Sequence, residues 1–418
     1  MAKPLGSNLV HVKNHNQALV LRLICTNPLM SRSQLADCSG LTKMTLSNIV
    51  SELIEKGIIT ETVSRSGNAT VGRRPILLDL AESSPCICGM LIKRGLLQVV
   101  LGDLRGRILD SAAIRYEAFR DSDELIRMLL DAYRKLKDRS KRTVAAISVA
   151  ALGPVDVSHG SLVKTPNFYG LSNVEVTKFL KKSTGLPTYI INDANAGALA
   201  EKLYGRGKNL SNFVYLHFMN GIGAGAVLND MLYEGDIGQS LEFGHTSINF
   251  AGPKCSCGNT GCVELYANLK RMNEQAAALA RLYPDSLLPK NAVHTWNDYV
   301  SCADRSDALA MVVLDRFCEY VSYALTNLLN VLDVNHVIVG YDGGTSSSFI
   351  EKAISSRINR MVMFADYRSI EVRHSAFDGN GPLVGSIAAV TNRIFNRSIC
   401  RGEGDEKLLQ LFFPDFHL

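Results

Sequence analysis

The sequence predicts an α/β chain in two parts, a small module of three helices and two strands ahead of a larger two-lobed body. Three observations predict it. Over the first segment, to about Leu80, apolar residues recur at helical spacing in three short stretches and then switch to strand-like runs. From Pro85 onward, short Val- and Ile-rich runs alternate with helical patterns, as layered α/β folds require. With 418 residues, 46% of them hydrophobic and 20% charged, the chain can bury the cores of several folding units.

The first helix is expected over His15–Cys25, with Leu19, Val20, Leu23 and Ile24 on one face. Ser31-Arg32-Ser33-Gln34-Leu35-Ala36 opens a second, with hydroxyls available as caps, and Ser39-Gly40-Leu41 makes a tight turn. Thr42 is placed to cap a third helix running to about Lys56, in which Leu46, Ile49, Val50 and Leu53 form an inward stripe. Its other side carries Lys43, Thr45, Ser47 and Asn48, short polar or cationic groups suited to base edges and phosphates. Ile58–Val63 and Ile76–Leu80 read as strands flanking a Ser/Gly/Asn-rich loop that ends in Gly72-Arg73-Arg74-Pro75. This order is that of a winged helix-turn-helix. The third helix would enter the major groove of double-stranded DNA, and Arg73 and Arg74 would sit near the minor groove or flanking phosphates.

Charge placement agrees. Of 45 Lys/Arg and 40 Asp/Glu, nine basic and four acidic residues fall in residues 1–75, leaving 36 of each in the rest. A basic module on a neutral body suits a polyanionic partner. The alternative is a trihelical adaptor that touches no nucleic acid.

The longest apolar stretch, Val144 to Val155, ends in Gly-Pro and falls short of the roughly 20 residues a bilayer span needs. The start has no apolar signal region, so a cytoplasmic protein is expected. Ten cysteines in such a chain argue against a disulfide framework. Seven are scattered and read as small buried hydrophobes.

In the body, Ile87–Leu91 and Leu96–Asp103 read as a hairpin, and Val144–Ala150, Thr188–Ile191 and Phe213–Phe218 as further strands. A long helix from about Ala308 to Leu332 feeds the strand Val337–Val339. The sharpest local signal is Leu241-Glu242-Phe243-Gly244-His245 followed by Cys255-Ser256-Cys257-Gly258-Asn259-Thr260-Gly261-Cys262-Val263-Glu264. Three thiols interleaved with glycines and preceded by a histidine can close a tetrahedron, so His245, Cys255, Cys257 and Cys262 are the expected ligands of one structural zinc. Free thiols in a loop are the alternative.

These residues resemble the signature of the ROK family of repressors, open reading frames and kinases. Gly153-Pro154-Val155-Asp156, Pro166-Asn167, Asn192-Asp193-Ala194-Asn195-Ala196 and Gly221-Ile222-Gly223-Ala224-Gly225 resemble, in order, a turn, a sugar-contacting loop, a catalytic segment and a second phosphate loop of that family. The resemblance runs from about residue 85 to 395. With the winged helix in front, the whole chain is similar to the family's xylose-, N-acetylglucosamine- and glucose-responsive repressors. It implies a two-lobed actin-like sugar-kinase (ribonuclease H-like) fold. Residues 1–82 would bind DNA, 83–195 form the first lobe (rejoined by a helix near 383–398), 196–382 the second lobe, and 399–418 a tail.

The resemblance implies sugar contacts at Asn167, Asn192, Asp193, Glu242, His245 and Glu264, and an effector that is a sugar or sugar phosphate bound between the lobes. It also implies that catalysis is lost, with Asp193 a vestigial base. Family kinases carry an Asp-x-Gly-Gly-Thr turn between the first two strands, and anchoring on Gly89 and Asp103 puts Leu91-Ile92-Lys93-Arg94-Gly95 there. Asn220 replaces a hydroxyl residue in the second loop. Lys93 and Arg94 are candidate contacts for the phosphate of a phosphorylated sugar, or point to solvent. A homodimer or homotetramer is expected, as is output through operator DNA. An active sugar kinase and a regulator controlled by a transporter protein remain as alternatives. The apolar tail Lys407–Pro414 would pack on the body or on a partner.

Overall fold

The computed structural model describes residues 9–27, 29–63, 76–164, 168–236, 238, 241–290, 292–342, 348–396 and 403–413. The chain divides into two compact units, one of residues 1–149, 173–190 and 386–418, the other of residues 150–172 and 191–385.

The first unit begins with the winged-helix module. Helix Leu9–Thr26 buries Ala18, Val20, Leu21, Ile24 and Cys25. Leu19 and Leu23, expected to face inward, are only partly covered, because the core stripe runs 14-17-18-21-24-25. Helix Arg32–Ser39 starts in a capping box of Ser31 and Gln34 and ends at Gly40, whose left-handed φ of 68° favours glycine. Helix Lys43–Glu55 is capped by Thr42 and buries Leu46, Ile49, Val50 and Leu53, as the spacing predicts. Strand Ile59–Val63 pairs antiparallel with Ile76–Leu80, which also takes Met30–Ser31 on its other edge. That last strand has two residues, too few to show a period of two.

The rest of the first unit is built on a five-stranded sheet in the order 188–192, 144–151, 86–93, 96–102, 108–115. The predicted hairpin pairs Ile87 with Gly102 through Lys93 with Leu96. Helix Gly381–Phe395 crosses this sheet closely: a Cβ on Gly89 would lie 2.2 Å from the Ser386 hydroxyl, and one on Gly102 as close to Ile387. The tail folds back as helix Glu403–Gln410, burying Leu408, Leu409, Phe412 and Phe413. Its Asp405 accepts from Tyr189 at 2.9 Å and pairs with Arg393 at 3.2 Å. The apolar tail is thus spent inside its own unit.

The second unit carries a five-stranded sheet in the order 231–232, 222–228, 213–218, 336–341, 371–374. Strand Phe213–Phe218 runs antiparallel to Ile222–Leu228 and parallel to His336–Tyr341. Helices Trp296–Asp304, Ala308–Leu332 and Phe349–Met361 cover it, with Trp296 and Phe317 edge-to-face at 5.0 Å and Phe218 against both. Gly221-Ile222-Gly223-Ala224-Gly225, which resembles a second phosphate loop, turns at Gly221 and continues as strand from Ile222. Its glycines serve packing, since a Cβ on Gly223 or Gly225 would come within 3 Å of Ala194. Among the described residues no helix is long and apolar enough to cross a membrane.

Candidate functional site

His245 ends a short 3-10 turn, Phe243–His245. The cysteines lie on a knuckle closed by bridges Lys254–Thr260 and Ser247–Cys262, with Cys255 N–H donating to the Asn259 carbonyl. Gly258 and Gly261 take φ of 97° and 68°, which lets the chain reverse twice within eight residues. The ligand atoms of His245, Cys255, Cys257 and Cys262 all lie within 4.8 Å of one another. His245 Nδ1 is 3.7 Å from Cys255 Sγ, and Cys257 Sγ is 3.7 Å from Cys262 Sγ. Bonds of about 2.3 Å to sulfur and about 2.0–2.1 Å to nitrogen set tetrahedral edges of roughly 3.8 Å and roughly 3.6 Å. The donor set and its spacing therefore fit one tetrahedral metal ion.

The other histidine nitrogen faces away: Nε2 is 4.0 Å from Glu264 Oε2. Glu264 lies over two glycines, since a Cβ on Gly221 or Gly244 would come within 3 Å of its carboxylate oxygens. A Cβ on Gly153 would lie 3.0 Å from Asn192 Nδ2 and 3.6 Å from Glu242 Oε1. The second unit so brings Asn192, Glu242, His245 and Glu264 together around three glycines. Glu242 reaches solvent on one side, yet protein crowds the rest; that desolvation raises its carboxyl above the ordinary range, against His245 and with Glu264. Asn192 has a second duty. Its Oδ1 caps helix Asp193–Tyr204, accepting from Ala194 at 2.9 Å and Asn195 at 3.2 Å, so its amide nitrogen takes no part in the cap. Asp193 Oδ1 accepts from the Ala194 N–H at 2.8 Å. Asn167 lies outside the described residues.

Lys93 is the last residue of strand Cys86–Lys93 and Arg94 starts the hairpin turn of the first unit, with Gly95 at φ 72°. Leu91 is fully buried in that strand, and Tyr116 donates to the Lys93 carbonyl.

On helix Lys43–Glu55, Lys43 and Asn48 are exposed. Two of the predicted contacts are engaged internally. Thr45 Oγ1 is 2.9 Å from Thr42 Oγ1, and Ser47 Oγ accepts from Arg32 at 2.9 Å. Arg32 also pairs with Glu61 at 2.9 Å, locking the third helix to the second helix and the first wing strand. The sequence reading missed Met44, which is 77% exposed on this face. Arg73 and Arg74 lie outside the described residues.

A winged helix on a two-lobed sugar-kinase-like body with a His–Cys₃ knuckle defines a narrow class. The ROK family profile matches residues 95–393 and the MarR family profile residues 14–67. The xylose repressor of Bacillus spizizenii is 30% identical over 383 residues, covering 91% of this chain and 95% of that protein. The DNA-binding transcriptional repressor Mlc of Escherichia coli K12 is 23% identical, covering 96% and 98%. The crystal structure of a ROK family transcriptional regulator, homolog of E. coli MLC protein, superposes with TM-score 0.77 at 25% identity over 96% of this chain and 99% of that one. The fold also matches a Streptomyces griseus ROK family glucokinase, with TM-score 0.64 at 23% identity over 73% and 98%. This chain belongs to the ROK family.

Proposed function

We propose that the chain is a sugar-responsive, DNA-binding transcriptional repressor without kinase activity. Residues 1–82 bind operator DNA, and the unit of residues 150–172 and 191–385, which gathers Asn192, Glu242, His245 and Glu264, holds the effector. The observation that carries the proposal is the pairing of a kept polyol site with a missing phosphate cradle. Asn192, Glu242, His245 and Glu264 converge on one glycine-lined place, suited to hydroxyl-rich ligands that hydrogen-bond at every edge. Where family kinases hold a magnesium-organising carboxylate and a phosphate-contacting glycine, this chain has buried Leu91 and Lys93. Relatives over nearly the full length are named repressors.

Zinc is the metal the donor set suits. With all four positions filled, it would cross-link the knuckle and leave no site for water. His245 then holds the metal through Nδ1 and presents Nε2 beside Glu264 to the sugar. A dimer presents two winged helices to a palindromic operator. Lys93 and Arg94 extend the proposal to a phosphorylated sugar, recognised by charge-assisted hydrogen bonds. Titration with free sugars and their 6-phosphates tests that extension, and equal affinities remove it.

The test of the whole is fluorescence anisotropy with DNA from the chain's own promoter, with and without xylose, glucose and N-acetylglucosamine, alongside a coupled ATP assay. Tight, salt-dependent binding released by one sugar is expected, with ATP turnover at background. Robust turnover on any monosaccharide, or no promoter affinity at low ionic strength, overturns it.

A further inference from the structure

Helix Lys43–Glu55 shows which side chains it offers to a ligand and which it has already committed. Leu46, Ile49, Val50 and Leu53 face the core. At roughly 100° per residue, Met44 and Asn48 lie within about 30° of the direction opposite that stripe, with Ser51 beside them. The polar residues on the two flanks, Thr45 and Ser47, have their hydroxyls tied to Thr42 and Arg32. Among the described residues no hydrogen bond or ion pair engages Lys43 or Asn48. The centre of the free face is therefore an apolar residue: Met44, 77% exposed and one turn from the Asn48 amide, with Lys43 nearer the edge of the buried stripe.

A methionine this exposed leaves apolar surface in water with no neighbour to cover it, on a face otherwise polar. Thymine alone among the bases presents an apolar group, its C5-methyl, in the major groove. Asn pairs with adenine N6 and N7 in the same groove. We infer that Met44 is a specificity-determining residue that reads a thymine methyl in each operator half-site. The unbranched thioether adapts to the methyl without a fixed hydrogen-bond geometry. Lys43 supplies phosphate attraction and Asn48 the adjacent polar contact. The inference rests on the DNA-binding reading above.

The test uses the full-length protein. Bound duplexes are first selected from a random pool at fixed ionic strength. Each thymine of the selected half-site is then replaced singly by deoxyuridine, which removes the methyl and leaves base pairing intact. One position per half-site is expected to weaken wild-type binding roughly fourfold, the effect of uncovering one buried carbon. Met44→Ala is expected to bind the thymine and deoxyuridine duplexes equally well. Alanine at this exposed helical site keeps the fold, which an unchanged thermal midpoint verifies. The inference is overturned if every thymine methyl is dispensable to wild type, or if Met44→Ala still loses the same factor at the same position. Failure to select any duplex is a different result, which overturns the DNA-binding reading along with it.

Discussion

Arg105 ion-pairs with Asp79 at 2.7 Å, and the same guanidinium nitrogen donates to the Ile24 carbonyl at 2.9 Å. Ile24 lies in the last turn of helix Leu9–Thr26, where carbonyls lack intrahelical partners and a cation is favoured. Asp79 is in the second wing strand. Arg105 belongs to the turn that joins strands Leu96–Gly102 and Ile108–Arg115. Fully buried Asp103 shapes that turn, accepting from the Arg105 N–H at 2.9 Å and pairing with Arg107 at 2.7 Å. One side chain thus fastens the DNA-binding module to the sheet within the first unit.

Arg105→Ala leaves Asp79 and the Ile24 carbonyl without their cation, at a cost of about 1.5–3 kcal/mol for hydrogen bonds to a charged group. The expected outcome is a lower midpoint in denaturant, promoter affinity within about threefold of wild type, and loss of the sugar's effect on that affinity. Arg105→Lys keeps the charge without the planar fork and should fall between the two. Anisotropy titrations with and without sugar measure this; a full sugar response in Arg105→Ala refutes the coupling.

Cys257 is the exposed member of the His–Cys₃ cluster, whereas Cys262 is fully buried. Cys257→Ser therefore removes a ligand with little damage to packing. Metal analysis should fall from about one zinc per chain to near zero. Sugar affinity by calorimetry should drop about tenfold or more, since His245 and Glu264 lose the knuckle that positions them. A zinc-free variant that still answers to sugar shows the metal to be unconnected with the effector site.

What was legible in the sequence was whatever local spacing encodes. Thr42 as a cap, the stripe from Leu46 to Leu53 and the Cys255–Cys262 knuckle each need only a dozen neighbouring residues to specify them. What was not legible depends on long-range packing. The missing side chains of Gly223 and Gly225 admit helix Asp193–Tyr204 against the strand, a packing role that no local pattern spells out. Ser47 looked free until Arg32, fifteen positions away, took its hydroxyl. Nothing local pairs Arg105 with Ile24 across 81 residues.

Packing around Tyr215 gives a sharp stability test. A Cβ on Gly197 would lie 2.2 Å from Tyr215 Cε1, and the fully buried ring also borders Gly340 and Gly381. Gly197→Ala should destabilise the second unit by about 1–3 kcal/mol, the usual range for overpacking, despite alanine's better helix propensity. Tyr215→Phe should not rescue it, because the clash is with ring carbon; Tyr215→Leu should recover part of the loss. Chemical denaturation of the four proteins reads both effects. Rescue by Tyr215→Phe would place the strain at the hydroxyl instead.

His374 lies between two carboxylates, with Nδ1 2.9 Å from Glu351 Oε1 and Nε2 2.9 Å from Asp378 Oδ1. Its ring meets Tyr341 edge-on at 4.7 Å, and the Tyr341 hydroxyl donates to Glu351 at 3.1 Å. A neutral imidazole has one N–H and would turn a lone pair toward one carboxylate; only the imidazolium donates to both. Burial opposes that charge, but Glu351 and Asp378 outweigh it and raise the pKa above its ordinary 6.5. Because the folded value lies above the unfolded one, the contribution to stability is full below the unfolded pKa and is lost as pH rises through the folded pKa. Denaturant midpoints from about pH 6 to about pH 8.5 should therefore fall more steeply for wild type than for His374→Gln, which cannot titrate. Parallel pH profiles for the two proteins would show that folding leaves the His374 pKa unshifted.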